Sequence, residues 1–300
     1  MKEPKAVKPV DLLSLLFLAF LTGLVFLFRL RIPNWAALSL RHLLLMGGYA
    51  GVIAVHRRRG SAALPPLQHL HAFFPVVVIL LVFDSLSFVH DLNPHDQDEL
   101  LIRIDLFLFG VHPTVRLERI ASPLLTDLMI LAYCSYYVLP LVFVGVLYGK
   151  GKKREFDEAA FSIVLTFYLS YIGYMLIPAL GPRFALAPLH NEGLKGLILA
   201  DPIMRALDFL EGVKRDAFPS GHSAVVLVVL AYAYRYEKGL YWLFLPIVLA
   251  LLFSTVYMRY HYVVDVLAGM LLAALCLALS PRLFSLLLQR SPGPLPQGAP

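Results

Sequence analysis

Eight long apolar runs restrict what this sequence can fold into more than any other feature. They cover residues 12–30, 36–55, 73–89, 126–148, 158–177, 219–235, 240–258 and 262–280. A helix needs about 20 mostly apolar residues to cross the hydrocarbon core of a bilayer. Charged residues make up only 15 % of the chain, against about 25 % in soluble domains. The pattern predicts an all-α, polytopic membrane helix bundle with about eight transmembrane helices.

The distribution of Lys and Arg predicts the orientation of these helices. Residues 57–59, 150–154 and 235–238 are short segments on one side of the predicted bundle, and they hold nine Lys or Arg residues. Short cytoplasmic loops are enriched in these residues. We therefore expect both termini in the cytoplasm, in a protein of the cell membrane. The same bias accounts for the net charge of +6, so no nucleic-acid partner is predicted.

The spans and loops divide the chain into four parts. Residues 1–90 hold three N-terminal transmembrane helices, and residues 91–125 form an extracytoplasmic loop with an interfacial helix. Residues 126–280 hold a core of five spans, which carries the candidate site described below. Residues 281–300 form a Pro/Gly-rich cytoplasmic tail that we expect to be disordered.

Amphipathic stretches in the two long outer loops predict helices that lie in the membrane interface. In the second loop, Asp201 is expected to cap a helix that ends at Gly212. The residues that share the apolar face of this helix are Ile203, Ala206, Leu207 and Leu210. In the first loop, the apolar residues with helical spacing are Leu100, Ile104, Phe107 and Leu108.

Polar residues gather at the outer ends of three spans that are distant in sequence. Arg183 follows the fifth span, and Pro219-Ser220-Gly221-His222 begins the sixth. Arg259, His261 and Asp265 join the seventh span to the eighth. Ionisable residues at membrane spans are functional candidates by default. The predicted topology brings all three segments to the extracytoplasmic face, where we expect the active site.

Two of these segments suit the binding of phosphate. Arg183 and Arg259 can each hold two phosphate oxygens at once. Ser220 and Gly221 open a helix, whose free N–H groups and dipole favour an anion. Gly221 also permits a close approach of the backbone. These four residues are the predicted phosphate-binding residues.

The remaining residues suit catalysis of phosphoryl transfer. His261 and Asp265 are four residues apart and share one helix face. The carboxylate can hold one imidazole nitrogen and leave the other as a nucleophile. His222 can then protonate the departing oxygen as a general acid. The predicted catalytic residues are therefore His261, His222 and Asp265.

Each of these signals has a plainer interpretation when it is taken alone. A His-x-x-x-Asp pair on a helix is usually a structural hydrogen bond, and an Arg at a membrane edge usually contacts lipid headgroups. A metal site is another alternative, but two nearby Arg residues would repel a cation, so no metal and no cofactor is predicted. A non-enzymatic phospholipid-binding or transport protein would need the Arg residues but no nucleophile with its own carboxylate.

The motifs resemble the signature of the type-2 phosphatidic acid phosphatase superfamily, which comprises integral-membrane lipid phosphatases and phosphotransferases. Pro219-Ser220-Gly221-His222 matches its second motif in full, and Ser254, His261 and Asp265 match its third. The resemblance covers roughly residues 120–280. It implies metal-independent catalysis through a phosphohistidine at His261, with Asp265 orienting that ring and His222 acting as the acid.

At the positions where it departs from this signature, the sequence is more similar to one branch of the superfamily. Leu176 stands at the Lys position of the first motif, and Thr255 stands at the Arg position of the third. Arg259, two residues before His261, is typical of the inositol phosphorylceramide synthase-like branch. The resemblance implies transfer of a phospho-headgroup, with inositol phosphate as one candidate, from a membrane lipid to a lipid or polyol alcohol. Hydrolysis by water is the alternative, and the sequence leaves the oligomeric state open.

For four further groups of residues, the sequence allows two interpretations each. Asp84 is expected at the interface, with an ion pair to a site Arg as the alternative. The acidic segment from His90 to Glu99 is expected to be a solvated loop rather than a divalent-cation site. Lys214 and Arg215 are equally suited to strengthening the anion site and to binding headgroups. The tyrosines are expected in packing or at the membrane interface, with one phenol in the pocket as the alternative: Tyr133, Tyr136 and Tyr137.

Two cysteines, Cys134 and Cys276, lie inside apolar runs. They are interpreted as small core residues, and no disulfide is predicted.

Overall fold

The computed structural model describes residues 7–59, 64–211 and 215–290, and this part of the chain is helical without strands. The helices are α1 (Pro9–Leu27), α2 (Trp35–Arg59), α3 (Pro65–Ser85), α4 (Val89–Leu92), α5 (Asp98–Phe109), α6 (Pro113–Leu117), α7 (Pro123–Gly149), α8 (Lys153–Leu176), α9 (Pro182–Ala185), α10 (Ala200–Glu211), α11 (Gly221–Tyr236), α12 (Lys238–Tyr257) and α13 (Val263–Arg290). The predicted all-α class is confirmed.

Eight long helices correspond to the eight predicted spans. Within the described residues, seven of them are long and apolar enough to cross a membrane: α1, α2, α3 with its extension to Leu92, α7, α8, α12 and α13. The eighth, α11, has 16 residues, which is about 24 Å at 1.5 Å per residue. It is enclosed by α7, α8, α12 and α13, and it is the helix that begins with the Ser-Gly-His motif.

Some helix ends differ from those predicted by the apolar runs. Helix α3 begins at Pro65, eight residues before the predicted span. Helix α13 continues through Pro281 to Arg290, so the first ten residues of the predicted tail are helical. Residues 291–300 lie outside the described residues. The apolar run identifies only the part of a helix that crosses the membrane. The backbone hydrogen bonds of the helix continue into the polar residues beyond that run, so the helix is longer than the run.

The N-terminal helices α1, α2 and α3 are joined to the rest of the bundle mainly through α8. Asp11 of α1 is buried and accepts hydrogen bonds from the Tyr49 hydroxyl at 2.7 Å and from Nε2 of His71 at 3.0 Å. The hydroxyl of Tyr168 on α8 donates to Ser14 at 2.9 Å. Burying a polar group costs free energy unless it forms a hydrogen bond. These contacts supply such bonds and join α1, α2, α3 and α8.

Both amphipathic stretches of the outer loops form helices, α5 and α10, and their location in the membrane interface stays a prediction. Helix α5 buries Leu101 and Asp105 and exposes Phe107. Helix α10 buries Leu207 and exposes Phe209 and Leu210. The expectation for its cap was wrong, since Asp201 lies inside the first turn and accepts from the N–H of Gly196.

Asp127 of α7 takes the predicted role of Asp201. It accepts hydrogen bonds from the N–H groups of Ile198, Leu199 and Ala200 at 2.8–3.1 Å. A carboxylate from another helix therefore caps α10, which no local sequence pattern indicates. Gly212, the predicted helix end, lies outside the described residues.

Asp84 pairs with Arg41 and not with an Arg of the candidate site. Their ion pair is 2.6 Å long and partly exposed, and it links α2 to α3. The neighbouring His42 is buried, with Nε2 3.0 Å from the Ser85 hydroxyl. Cys134 and Cys276 are both free.

Candidate active site

The three polar segments predicted from the sequence meet at one end of the bundle, which we call the site end. Backbone hydrogen bonds join them. The N–H of Arg183 donates to the carbonyl of Arg259 at 2.8 Å, and the N–H of Ser220 donates to the carbonyl of Asp265 at 3.0 Å. The N–H of Ala217 donates to the carbonyl of Ala179 at 3.2 Å. The loop after α8, the start of α11 and the turn between α12 and α13 therefore form one unit.

The two predicted catalytic histidines face each other. Nε2 of His261 lies 3.3 Å from Nδ1 of His222. Nδ1 of His261 lies 2.8 Å from the carbonyl oxygen of Ala217. A carbonyl only accepts hydrogen bonds, so this contact assigns the ring hydrogen of His261 to Nδ1. The neutral ring then carries its lone pair on Nε2, the tautomer that a nucleophilic Nε2 requires, and this atom faces His222.

Asp265 lies in the first turn of α13 and is fully buried. Its Oδ2 accepts the N–H of Tyr262 at 2.8 Å, which completes one half of a capping box for α13. The same oxygen lies 3.5 Å from Nδ1 of His261. Asp265 thus caps the helix and places a carboxylate beside the imidazole, while the Ala217 carbonyl is the closer acceptor. The sequence could not reveal that carbonyl, because every residue has one.

Ser220 and Gly221 form the start of α11. The Ser220 hydroxyl accepts from the N–H of Ser223 at 3.3 Å and from its hydroxyl at 3.1 Å, so this side chain is the N-cap. A Cβ at Gly221 would lie 2.3 Å from the Tyr174 hydroxyl oxygen. A larger residue here would have to displace the Tyr174 hydroxyl, so glycine permits the close packing of α8 on α11. Their predicted role in binding phosphate stays a prediction.

The Arg183 side chain lies at the edge of the site. Its guanidinium is paired with Asp208 of α10 at 2.5 Å and lies 5.0 Å from the centre of the Tyr260 ring. Tyr260 stacks on Tyr133, and Tyr133 stacks on His222, each with 4.5 Å between ring centres. A chain of ring contacts through Tyr260 and Tyr133 therefore connects this guanidinium to His222.

Arg259 is held in an unusual backbone conformation, with φ of 65°. This left-handed conformation is uncommon for residues other than glycine. Its guanidinium donates to the carbonyl of Glu192 at 3.0 Å and lies 3.6 Å from the Glu118 carboxylate. It lines a polar cavity of about 500 Å³ together with Glu118, Glu192 and Lys195.

Glu118 organises the loop on the other side of this polar cavity. It accepts hydrogen bonds from the N–H groups of Glu192 at 2.7 Å and Asn191 at 3.3 Å. The bond from Glu192, with that from Asn191 and the nearby charge of Arg259, holds the pKa of Glu118 below its ordinary value. A local sequence pattern could not identify this residue, because its partners are about 75 residues away.

Two tyrosines of α7 enclose His222. The ring centre of Tyr136 lies 4.1 Å from that of His222, and Tyr133 covers it at 4.5 Å. Tyr133 is buried, whereas Tyr137 is partly exposed. The alternative that a tyrosine reaches the pocket is thus correct for Tyr133 and Tyr136. Both rings pack directly against the imidazole.

Asp98 is a site-end residue that the sequence interpretation missed. It was assigned to a solvated loop, but it is buried. Its carboxylate accepts from the N–H groups of Leu180 and Gly181 at 2.9 and 2.8 Å and from the Tyr262 hydroxyl at 2.8 Å. It therefore joins the loop after α8 to the residue next to His261.

Asp105, on the same helix α5, has a parallel role. Its carboxylate accepts from the N–H groups of Val263 and Val264 at 3.0 and 2.9 Å, so it caps the start of α13. Burial raises the pKa of Asp105 above its ordinary value even though these two bonds oppose the shift. The spacing of Asp98 and Asp105 by seven residues places them on one face of α5, which was the only available signal.

The remaining charged candidates are engaged elsewhere. Arg215 forms an ion pair with Asp96, with two bonds of 2.5 and 3.2 Å, and so helps to hold the segment before α11. Lys214 lies outside the described residues. In the part of the chain that the structure describes, no group of three or more His, Cys, Asp or Glu side chains could hold a metal ion.

Comparison with known proteins places this arrangement in a family. A sequence model described as the PAP2 superfamily matches residues 100–279, which include every predicted site residue. The chain belongs to the PAP2 superfamily. The family resemblance predicted from the motifs is confirmed, and the match also includes most of α5 with Asp105, whereas Asp98 lies two residues before its start.

Two curated relatives of this PAP2 superfamily protein are distant. A PA-phosphatase related-family protein from Dictyostelium discoideum is 24 % identical over 180 residues, which cover 53 % of this chain and 33 % of the relative. A phosphoinositol dihydroceramide synthase from Bacteroides thetaiotaomicron is 28 % identical over 156 residues, which cover 48 % of this chain and 51 % of the relative. The chain thus spans between a third and about half of these relatives. The second name agrees with the predicted branch. No solved structure matches the chain.

Proposed function

We propose that this protein is an integral-membrane lipid phosphotransferase that transfers a phospho-headgroup through a phosphohistidine at His261. The observation that carries the proposal is the pair of imidazoles: the lone pair of His261 Nε2 is directed at His222, and its Nδ1–H is held by the Ala217 carbonyl. A structural His–Asp contact needs no second imidazole at 3.3 Å. A phospholipid-binding or transport protein needs no oriented nucleophile.

In the first step, the lone pair of His261 Nε2 attacks the phosphorus of a membrane lipid. The bond between phosphorus and the lipid oxygen breaks, and that oxygen takes its proton from His222. The products are a lipid alcohol and a headgroup phosphate bonded to Nε2. Asp265, 3.5 Å from Nδ1, stabilises the positive charge that develops on the His261 ring.

In the second step, His222 takes the proton of an acceptor alcohol whose oxygen attacks phosphorus. The P–N bond breaks, and its electron pair returns to Nε2 of His261. Water as the acceptor gives a phosphatase, and a lipid or polyol alcohol gives a transferase. The rings of Tyr133 and Tyr136 against His222 support transfer to an alcohol, because a dry acceptor side disfavours hydrolysis.

The phosphate is proposed to bind at the N-terminus of α11, between Ser220 and Gly221, where the helix dipole favours an anion. Arg183 and Arg259 are proposed to hold its outer oxygens after they leave Asp208 and Glu118. The charge-assisted bonds to phosphate are bidentate and would replace single carboxylate contacts. No metal or cofactor takes part in either step.

The headgroup class and the membrane orientation are part of the proposal. The name of the Bacteroides relative, phosphoinositol dihydroceramide synthase, supports a phosphoinositol headgroup and a ceramide-like acceptor. The Lys and Arg residues of the short loops support cytoplasmic termini and an active site at the extracytoplasmic face.

The test uses purified full-length protein in mixed micelles. Phosphatidylinositol labelled in its inositol ring is supplied with a ceramide or a diacylglycerol that carries a different chain. We expect the label to move to the acceptor lipid, and we expect the rate to persist in EDTA. Release of labelled inositol phosphate without an acceptor product would show that water takes the headgroup in place of a lipid alcohol, and release of inorganic phosphate from phosphatidic acid would establish a phosphatase. Binding without turnover would establish the non-enzymatic alternative, and loss in EDTA with recovery in Mg²⁺ would overturn the metal-independent mechanism.

A further inference from the structure

An apolar cavity of about 360 Å³ lies between α3, α7 and α8 and is separate from the polar cavity at Arg259. Its lining is almost entirely aliphatic and aromatic. Helix α3 supplies one wall with Phe73, Val76, Ile79 and Phe83. The third N-terminal span is therefore part of this cavity, although it lies before the family match at residues 100–279.

One end of the cavity reaches the candidate catalytic residues. His222, Asp216 and Tyr174 line it there, at the site end of the bundle. The other polar side-chain atoms of the lining are the hydroxyl groups of three further tyrosines: Tyr136, Tyr137 and Tyr171. A molecule in the cavity can therefore present a polar group to the ring of His222 while the rest of it stays in apolar surroundings.

The opposite end of the cavity is closed by aromatic rings. Phe73 and Phe156 both line it and meet edge to face, with 5.8 Å between their ring centres. Tyr148 packs against both of these rings, at 5.4 and 5.3 Å. Edge-to-face aromatic clusters are well packed and hold their geometry. We call Phe73 and Phe156 the floor of the cavity.

The wall that α3 contributes to the cavity is about as long as a lipid chain in one leaflet. Phe73 and Phe83 are ten residues apart on α3, which is about 15 Å at 1.5 Å per residue. The hydrocarbon thickness of one leaflet is about half of the 30 Å core of a bilayer, also about 15 Å. The wall formed by α3 thus matches a chain that extends through one leaflet.

The side of the cavity is open toward the bilayer. Leu80 of α3 and Leu141 of α7 line it and are largely exposed, and Tyr137 of α7 is partly exposed. Helices α3 and α7 each pack against α8 and leave a cleft between them. A chain can therefore enter from the membrane without leaving apolar surroundings.

We propose that this cavity holds one hydrocarbon chain of the lipid alcohol whose oxygen reacts at His222, and that its floor sets the preferred chain length. The inference rests on the proposed function. In both proposed steps the lipid oxygen exchanges its proton with His222 and therefore lies beside this ring. The phosphate group then takes the place of the 3.3 Å contact between the two imidazoles. The departing lipid and the accepting lipid therefore use this one cavity in turn, and chain length affects both.

The first test fills the cavity. Val76→Trp places an indole in the lining, and the matched control Val77→Trp places it on the neighbouring lipid-facing position of α3. We expect Val76→Trp to lose about tenfold or more in turnover of long-chain lipids, since poor pocket contacts cost factors of this size. Turnover of a short-chain lipid and of a nitrophenyl phosphoester is expected to stay within about twofold, and Val77→Trp to behave like wild type. The proposal would be overturned if Val76→Trp lost the same factor on all substrates. It would also be overturned if both variants lost the same factor on long-chain lipids.

The second test removes the floor. Phe73→Ala lengthens the cavity, whereas the control Phe74→Ala removes a ring that stacks on Tyr49 outside it. We expect the chain-length optimum to move to longer chains only in Phe73→Ala. An unchanged optimum in Phe73→Ala would contradict the role of the floor, whatever the absolute rate.

A binding measurement separates failure of the cavity from failure of the proposed function. Long-chain ceramide should raise the thermal midpoint of wild type and Val77→Trp more than that of Val76→Trp, because a ligand stabilises the state that binds it. If no lipid is turned over but this difference appears, the cavity proposal stands and the transferase proposal fails. If transfer occurs and all three proteins respond equally, the cavity proposal is wrong and the transferase proposal stands.

Discussion

His261 lies closer to the backbone carbonyl of Ala217, at 2.8 Å, than to the carboxylate of Asp265, at 3.5 Å. In a triad where a carboxylate alone fixes the tautomer, its change to an amide costs about 10⁴-fold in rate. Here the Ala217 carbonyl keeps the hydrogen on Nδ1 when Asp265 is changed. The two functions of that carboxylate, fixing the tautomer and stabilising the charged ring, are therefore separated.

We accordingly expect Asp265→Asn to lose about 10–100-fold in turnover. This is well below the loss of about 10⁴-fold that follows when the ring hydrogen moves to the other nitrogen. Asparagine can still accept the N–H of Tyr262, so the cap of α13 and the thermal midpoint should change little. Steady-state rates and thermal unfolding of the purified variant check this. A loss as large as that of His261→Ala would show that Asp265, rather than Ala217, fixes the tautomer.

The two histidines should differ in their dependence on the leaving group. His261→Ala should abolish turnover of every substrate, because it removes the nucleophile. His222→Ala should lose about 10²–10⁴-fold on lipids, whose alkoxides need a proton, and much less on a nitrophenyl phosphoester, whose phenolate leaves without one. Rates on both substrate types check the assignment. Equal losses on both substrates in His222→Ala, or a phosphoenzyme trapped in His261→Ala, would reverse it.

Asp98 should be needed for the site although it is not proposed to touch the substrate. Asp98→Asn weakens bonds to Leu180, Gly181 and Tyr262, and hydrogen bonds to a charged group contribute about 1.5–3 kcal/mol each. We expect a lower thermal midpoint and lower turnover on all substrates. The control Glu99→Gln changes an exposed carboxylate paired with Arg103 on the same helix and should have little effect. Comparable behaviour of the two variants would show that Asp98 is dispensable.

The loop that holds Arg259 should loosen at acidic pH. The pKa of Glu118 is lowered in the folded protein from its ordinary 4.5 by bonds from Glu192 and Asn191 and by Arg259. The stabilisation is therefore complete above pH 4.5 and is lost as the pH falls through the lowered folded-state value. Hydrogen exchange of the Glu192 amide should rise, after correction for intrinsic rates, only below that pH. Glu118→Gln should show weak protection that does not change over this range.

The proposed orientation can be tested by labelling. In a protein that lacks Cys134 and Cys276, a cysteine at the exposed position Asn191 should react with a membrane-impermeant reagent added to intact cells. A cysteine at Arg154, which is 86 % exposed, should react only after the membrane is permeabilised. The reverse pattern would place the histidine pair on the cytoplasmic side.

Much of the architecture follows from patterns within short stretches of sequence. A helix must satisfy all its backbone hydrogen bonds inside the bilayer, so a run of apolar residues near 20 has one stable structure there. This is why eight runs predicted eight long helices. The Pro219-Ser220-Gly221-His222 and His261-x-x-x-Asp265 motifs predicted the family and the residues of the histidine pair for the same reason, since each motif is local.

The sequence could not predict which partners the charged side chains choose. Asp98, Asp105, Asp127 and Glu118 each bind N–H groups that are about 70–160 residues away. Arg183 and Arg259, assigned to phosphate from their type and position, pair with Asp208 and Glu118 in the structure. The type of a side chain determines what it can bind. The packing of the helices determines which of those groups lie close enough to be bound.

The sequence by itself determined the membrane class, the helices, the superfamily and the identities of His222, His261 and Asp265, because these depend on apolar length and on contiguous motifs. Only the tertiary structure decided that the Ala217 carbonyl orients His261, that Tyr133 and Tyr136 cover His222, and that α3 completes the apolar cavity. Those contacts join segments that are far apart in the chain. They depend on how the helices pack, and packing is set by the shapes of all the side chains together.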